Sequence, residues 1–179
     1  MTVSLLADWD NFYVIVGSAA AGLTGLTFVV ISLAAGANRV NAVGLRAFVT
    51  PTIVHFGTVL GLSAFLSVPH QTLLSLRIGL GIVGGAGLVY LSTIAASISA
   101  VRTVYVPVRE DWLWNVVMPA LVYAALLVLA LLPGGGAPVG LHVVAGMALL
   151  LLFIGIRNAW DVAVWHSTTK PSGDSQDAP

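Results

Sequence analysis

The sequence predicts an all-α integral membrane helical bundle of five transmembrane helices, with the N-terminus outside and the C-terminus cytoplasmic. Three observations carry this. Of 179 residues, 58% are hydrophobic and only 8% are charged, against roughly 25% charged in an average soluble domain, and the mean hydropathy is +0.99. The charged side chains cluster, leaving uncharged runs of 28 residues (11–38), 30 (47–76), 24 (78–101) and 45 (112–156). The basic residues fall almost entirely on alternate connecting segments.

A helix needs about 20 apolar residues to cross a ~30 Å hydrocarbon core, so each of the first three runs holds one crossing. They are placed at 12–37, 48–68 and 78–100. The fourth run is too long for one crossing, and PGGGAP at 133–138 breaks it with two prolines and three glycines, residues that end helices. It therefore holds two, at 112–132 and 139–160. Barrel strands would alternate apolar and polar residues over about ten positions, whereas these runs are apolar on nearly every side. Residues 1–166 form one domain. The tail at 167–179, STTKPSGDSQDAP, is polar and rich in Pro, Gly and Ser, and is expected to be a disordered cytoplasmic segment.

Orientation follows from the loops. With five crossings, one face carries residues 1–11, PHQTLLSLR and PGGGAP, and holds only Arg77. The other holds Arg39, Arg46, Arg102, Arg109, Arg157 and Lys170, an asymmetry of six to one that places this face inside. Trp9 falls at the outer end of the first span, and Trp112, Trp114, Trp160 and Trp165 at inner ends, where indole rings prefer the headgroup zone. Ala19, Ala20 and Ala21 look like a cleavage site, but the preceding segment carries Asp8 and Asp10 and no Lys or Arg. That is the pattern of an uncleaved anchor.

Helix contacts are expected where small residues share a face. On the first span Gly17, Ser18, Ala21, Gly25, Ser32, Ala35 and Gly36 fall within about 100° of arc, and Gly17, Ala21 and Gly25 have the small-xxx-small spacing that lets backbones approach in lipid. The third span repeats this with Gly81, Gly84, Gly85, Ser92, Ala95 and Ser99, and the second carries the pair Gly57 and Gly61. Spans one to three are expected to pack as a unit, leaving the leucine-rich fourth and fifth more exposed to lipid. These faces can also serve self-association. A phosphate loop is excluded, because GSAAAGLTG (17–25) lies inside a span and lacks the strand and lysine that such loops need.

Little in the sequence points to chemistry. Cysteine is absent, which removes disulfides, thiol nucleophiles and thiolate metal sites. Net charge is zero without a basic cluster, so nucleic acid is not an expected partner. No Asp, Glu, Lys or Arg lies well inside a span. His55 is the one intramembrane titratable group of interest, sharing a polar stripe with Thr52, Thr58 and Ser63, opposite Gly57 and Gly61. It is either a pore-lining or proton-sensitive group or a hydrogen-bonded member of the bundle. His70, His142, Asp8 and Asp10 gather near the outer face without metal-ligand spacing, so no metal or cofactor is expected. In RNAWDVAVWH (157–166), Arg157 and Asp161 are spaced to pair on a helix. Asn158, Asp161 and Trp165 recur on one face, as a Trp-anchored helix end or a cytoplasmic docking surface.

DWDNFYVIVGSAAAGLTGLTFVVISL and GIRNAWDVAVWH resemble segments of a group of small multi-spanning bacterial membrane proteins. These show W-x-x-F, a Gly/Ala-rich first span and a terminal N-A-W-D, matched here by Trp9, Phe12 and residues 158–161. Some members are labelled as modulators of the FtsH membrane protease. The resemblance covers the two ends better than the middle and carries over no functional residue. It implies a bacterial plasma (inner) membrane location. The expected function is non-enzymatic, an accessory or assembly component packing with itself or another membrane protein in the lipid bilayer, the alternative being an oligomeric channel or passive transporter.

Overall fold

The computed structural model describes residues 6, 8–36, 50–100, 109–133 and 138–168. Arg39, Arg46, Arg102 and Lys170 lie outside these, as does the tail from 169 onwards. Every described element is helical: α1 (Asp10–Gly36), α2 (Thr50–Leu66), α3 (Leu73–Ala100), α4 (Arg109–Trp112), a π turn (Leu113–Val117), α5 (Met118–Leu131) and α6 (Pro138–Thr168). Backbone angles stay helical at Trp112, Val117 and Met118, so α4, the π turn and α5 form one continuous rod. Five rods result. Four contain stretches long and apolar enough to cross a membrane, and α2 is a shorter apolar helix of 17 residues.

Two helices extend well past their expected ends, α3 for a local reason. α3 starts at Leu73 rather than 78 because Thr72 caps it: Ser75 N–H donates to Thr72 Oγ1 at 3.0 Å, and Thr72 N–H donates to Ser75 Oγ at 3.0 Å. This reciprocal arrangement satisfies two backbone donors at the helix start. Arg77, taken as a boundary charge, lies within α3. Its Nε donates to Ala130 O at 2.8 Å and its Nη2 to Leu131 O at 3.1 Å, satisfying carbonyls at the C-terminal end of α5, where a cation is also favoured. α6 runs on to Thr168, eight residues past the expected span end and into the first two positions of the expected tail. The α2–α3 turn is held by Gln71, whose Nε2 donates to Phe65 O at 2.7 Å, and passes through His70 at φ 59°, a left-handed conformation histidine tolerates better than most.

The π turn has a cause in the sequence. Pro119 has no N–H to offer Asn115 O, and its ring would press on that carbonyl in a regular α-helix. One wider turn relieves this, with the Met118 N–H bonding back to Leu113 O. π turns inside α-helices are rare and tend to mark special sites.

Packing differs from the expected three-span unit. α3 packs extensively on α5, α5 on α6, α6 on α2, and α2 only sparsely on α3, closing a ring of four rods. α1 lies outside this ring, against α2 and more lightly against α6, with no substantial contact to α3 among the described residues. The leucine-rich helices are correspondingly interior. α6 buries Leu141, Val144, Ala148, Leu151 and Ile154, whereas α1 leaves Val14, Ile15, Leu26, Val29 and Leu33 exposed. Leucine content could not decide this, since lipid is as apolar as leucine. What decides it is where glycine admits a neighbour. A Cβ at Gly84 would stand 2.7 Å from Leu127 N and Tyr123 O, one at Gly155 2.5 Å from Phe56 Cε1, and ones at Gly87 and Gly79 would collide with the rings of Tyr123 and Phe65.

Candidate functional site

Four of the helix-packing residues named from sequence have no near neighbour among the described residues. A Cβ at Gly25, Gly57, Gly61 or Gly85 would meet nothing within 4 Å, and Ala21 is exposed. Gly17 does pack, since its Cβ position lies 2.9 Å from Ser63 Cβ, and the Gly81 position meets Ala130 Cβ at an ordinary 3.6 Å. The small-residue face of α1 therefore divides. Tyr13, Val16, Gly17 and Ala20 face the bundle, while Ser18, Ala21, Gly22 and Gly25 face away from it.

The polar stripe on α2 is inside the bundle. Thr52, His55 and Ser63 are buried and Thr58 is half-buried, with Gly57 and Gly61 exposed opposite, as the helical wheel implied. The stripe does not face one common space. His55 Nδ1 lies 3.1 Å from Tyr123 Oη, and Thr58 Oγ1 lies 3.3 Å from the same oxygen, whereas Ser63 faces Gly17 of α1. Thr58 also donates to Val54 O at 2.8 Å. All three contacts are satisfied together in one way. Thr58 spends its proton on Val54 O, Tyr123 O–H donates to Thr58, and His55 Nδ1–H donates to Tyr123. Each hydroxyl carries one proton, and neutral imidazole one N–H, so Nε2 of His55 is an acceptor. It is buried without a hydrogen-bond partner among the described residues, as are the hydroxyls of Tyr13, Ser63 and Tyr90. Tyr123, on which this network turns, was not singled out from sequence.

Between α2 and α3, where the ring is thinly closed, lies a groove of about 350 Å³. Val54, Thr58, Gly61, Ala86, Tyr90 and Tyr123 contribute to its lining, and none of its lining residues is charged.

The end of the bundle at the start of the fourth rod holds a second polar cluster. Arg157 Nη1 donates to Asp161 Oδ2 at 2.8 Å, Nη2 lies 3.7 Å from Glu110 Oε2, and the guanidinium stands 4.5 Å over the Trp114 ring. The Arg157–Asp161 pairing follows the expected helical spacing. Asn158 does not lie on the expected exposed face with Asp161. It is 4% exposed, and its Nδ2 donates to Oδ1 of buried Asn115 in the π turn at 3.2 Å. The docking surface anticipated from Arg157, Asn158 and Asp161 thus loses Asn158 to the interior.

At the opposite end, His142 packs edge-on against Trp9 with ring centroids 4.7 Å apart. Asp8, Trp9, Phe12 and His142 help line a shallow pocket of about 480 Å³. Among the described residues no group of three or more His, Cys, Asp or Glu side chains could hold a metal ion.

The exterior is apolar as well as the core, and a few polar side chains are kept inside. His55, Thr52, Ser63, Asn115 and Asn158 are inside, while Ile15, Leu33, Leu74, Val89 and Val139 are outside, each more than two-thirds exposed. A soluble protein rarely exposes apolar surface on this scale. These features define the class: a helical bundle compatible with a multi-pass membrane protein. Compared with family models, with curated proteins and with solved structures, the chain matches none.

Proposed function

We propose that this chain is a five-span protein of a bacterial plasma membrane, N-terminus outside, that acts as a non-enzymatic accessory or assembly component by packing against a second membrane protein or its own copy. The membrane placement is supported by the apolar exterior. The orientation is supported by the distribution of basic residues, and the bacterial assignment by the resemblance of the two ends to small bacterial membrane proteins.

One observation carries the accessory role. Gly25, Gly57 and Gly61 are exposed, and a Cβ at any of them would meet nothing within 4 Å among the described residues, although small residues confer no advantage against fluid lipid and a real one against another helix. The channel alternative has weaker support, because His55 and Thr58 meet at the Tyr123 hydroxyl while Ser63 faces Gly17 of α1, so the stripe does not line one common lumen.

Native mass analysis after extraction in mild detergent tests the role. The wild type is expected to carry a second subunit or a membrane partner, and Gly25→Leu to lose it while keeping a folded monomer. A wild type that is always a lone monomer overturns the proposal.

A further inference from the structure

We infer that the shallow pocket between the starts of α1 and α6 binds the headgroup of a phospholipid that carries a primary ammonium, as phosphatidylethanolamine does. The pocket, of about 480 Å³, is lined by Asp8, Trp9, Phe12, Pro138, Leu141 and His142. Asp8 and His142 are exposed and the rings of Trp9 and Phe12 half-buried, so all four keep surface for an occupant.

Charge selects that occupant. The Asp8 carboxylate has no hydrogen-bond or ion-pair partner among the described residues, and no Lys or Arg contributes to the lining. Asp10 already places an acid in the first turn of α1, where the helix dipole favours one, so the start of that helix does not account for Asp8. Arg77, the one Lys or Arg among the described residues at this end of the bundle, donates instead to Ala130 O and Leu131 O. A cation from outside the chain is the missing partner.

His142 narrows the choice of cation. Its Nδ1 lies 2.8 Å from Pro138 O, which can only accept, so the neutral imidazole carries its proton there and leaves Nε2 with a lone pair. A carboxylate and an imidazole nitrogen both take N–H donors, which a primary ammonium has and a quaternary one lacks. Aromatic rings such as those of Trp9 and Phe12 add attraction for a cation over their faces.

Depth identifies the kind of molecule. Trp9 precedes the first residue of α1, and His142 stands four residues into α6, about 6 Å of rise. In the membrane placement proposed above this is headgroup level. The phosphodiester of the same headgroup is left to the start of α6, which has no acidic residue in its first turn and whose positive dipole end suits an anion.

The inference rests on that membrane placement but not on the accessory role. Protein extracted from the membrane fraction is stripped of lipid in mild detergent and titrated with phosphatidylethanolamine, phosphatidylcholine or phosphatidylglycerol of matched chains, retention being read by native mass spectrometry. Recovery of the protein in the soluble fraction would overturn the placement and the inference together, whereas a titration without preference on membrane-extracted protein overturns the inference alone. Phosphatidylethanolamine is expected to be retained about threefold to fivefold better than either of the others, and Asp8→Asn to reduce that preference about twofold to fivefold, the scale of an exposed ion pair. Because Asp8 is exposed and unpartnered, the unfolding midpoint of this variant is expected to stay unchanged. Asp161→Asn, at the far end of the bundle, removes the same charge and is expected to leave the preference intact. Equal retention of the three lipids, a preference for either of the others, or equal effects of the two substitutions overturns the inference.

Discussion

Asn158 on α6 and Asn115 in the π turn, 43 residues apart, meet side chain to side chain at 3.2 Å in the interior. The pair ties the irregular turn of the fourth rod to the helix beside it, directly behind the Arg157 stack on Trp114. Replacing Asn158 by Ala is expected to destabilise the folded bundle by about 1 kcal/mol, since interhelical hydrogen bonds in lipid average below that value and a stranded polar group adds to the loss. Unfolding in mixed detergent micelles measures it. An unchanged midpoint would show that the contact contributes nothing to the fold.

Glycine positions separate into two classes with opposite expected behaviour. Gly84→Val forces a side chain into the backbone of the fourth rod and is expected to cost about 3 kcal/mol or more, at the upper end of overpacking penalties, with loss of folded yield. Gly57→Leu adds a side chain where nothing stands and is expected to leave monomer stability within about 0.5 kcal/mol. Comparing yield and unfolding of the two variants checks the packing directly.

The network His55–Tyr123–Thr58 predicts non-additivity. Tyr123→Phe strands the His55 N–H and removes the donor to Thr58, at an expected cost of about 1–2 kcal/mol. His55→Leu in that background is expected to cost less than it does alone, because its partner is already gone. A double-mutant cycle reads the coupling, and strict additivity would mean that the two side chains act independently.

The proposed orientation is open to a clean chemical test, because the chain has no native cysteine. His70→Cys, on the exposed α2–α3 turn, is expected to react with an impermeant maleimide on intact spheroplasts. Ser167→Cys is expected to react only after the membrane is opened. The reverse pattern would invert the assignment.

Much of the architecture was readable because charge spacing is a one-dimensional property. Four runs without Asp, Glu, Lys or Arg, the last divided by PGGGAP, located all five rods, and Thr72 with Ser75 shifted one start only because a capping pair acts locally. Neighbours were not readable in the same way. A wheel puts Gly25 and Gly84 on small-residue faces of their helices, yet among the described residues one meets nothing and the other a backbone, and only the third dimension distinguishes them. Asn158 was placed by its spacing to Asp161, three residues on, while its real partner comes from another rod. The usable clue was Pro119, a proline inside an apolar run, which marks an irregular turn and so a side chain redirected inward. Tyr123 carried no such mark.

α2 leaves Gly57, Leu60, Gly61 and Ala64 exposed along one side. Three of these four carry a methyl group or less, so covering them costs almost no side-chain rotamer freedom. A surface seated on this side of α2 would therefore lose conformational entropy chiefly of its own.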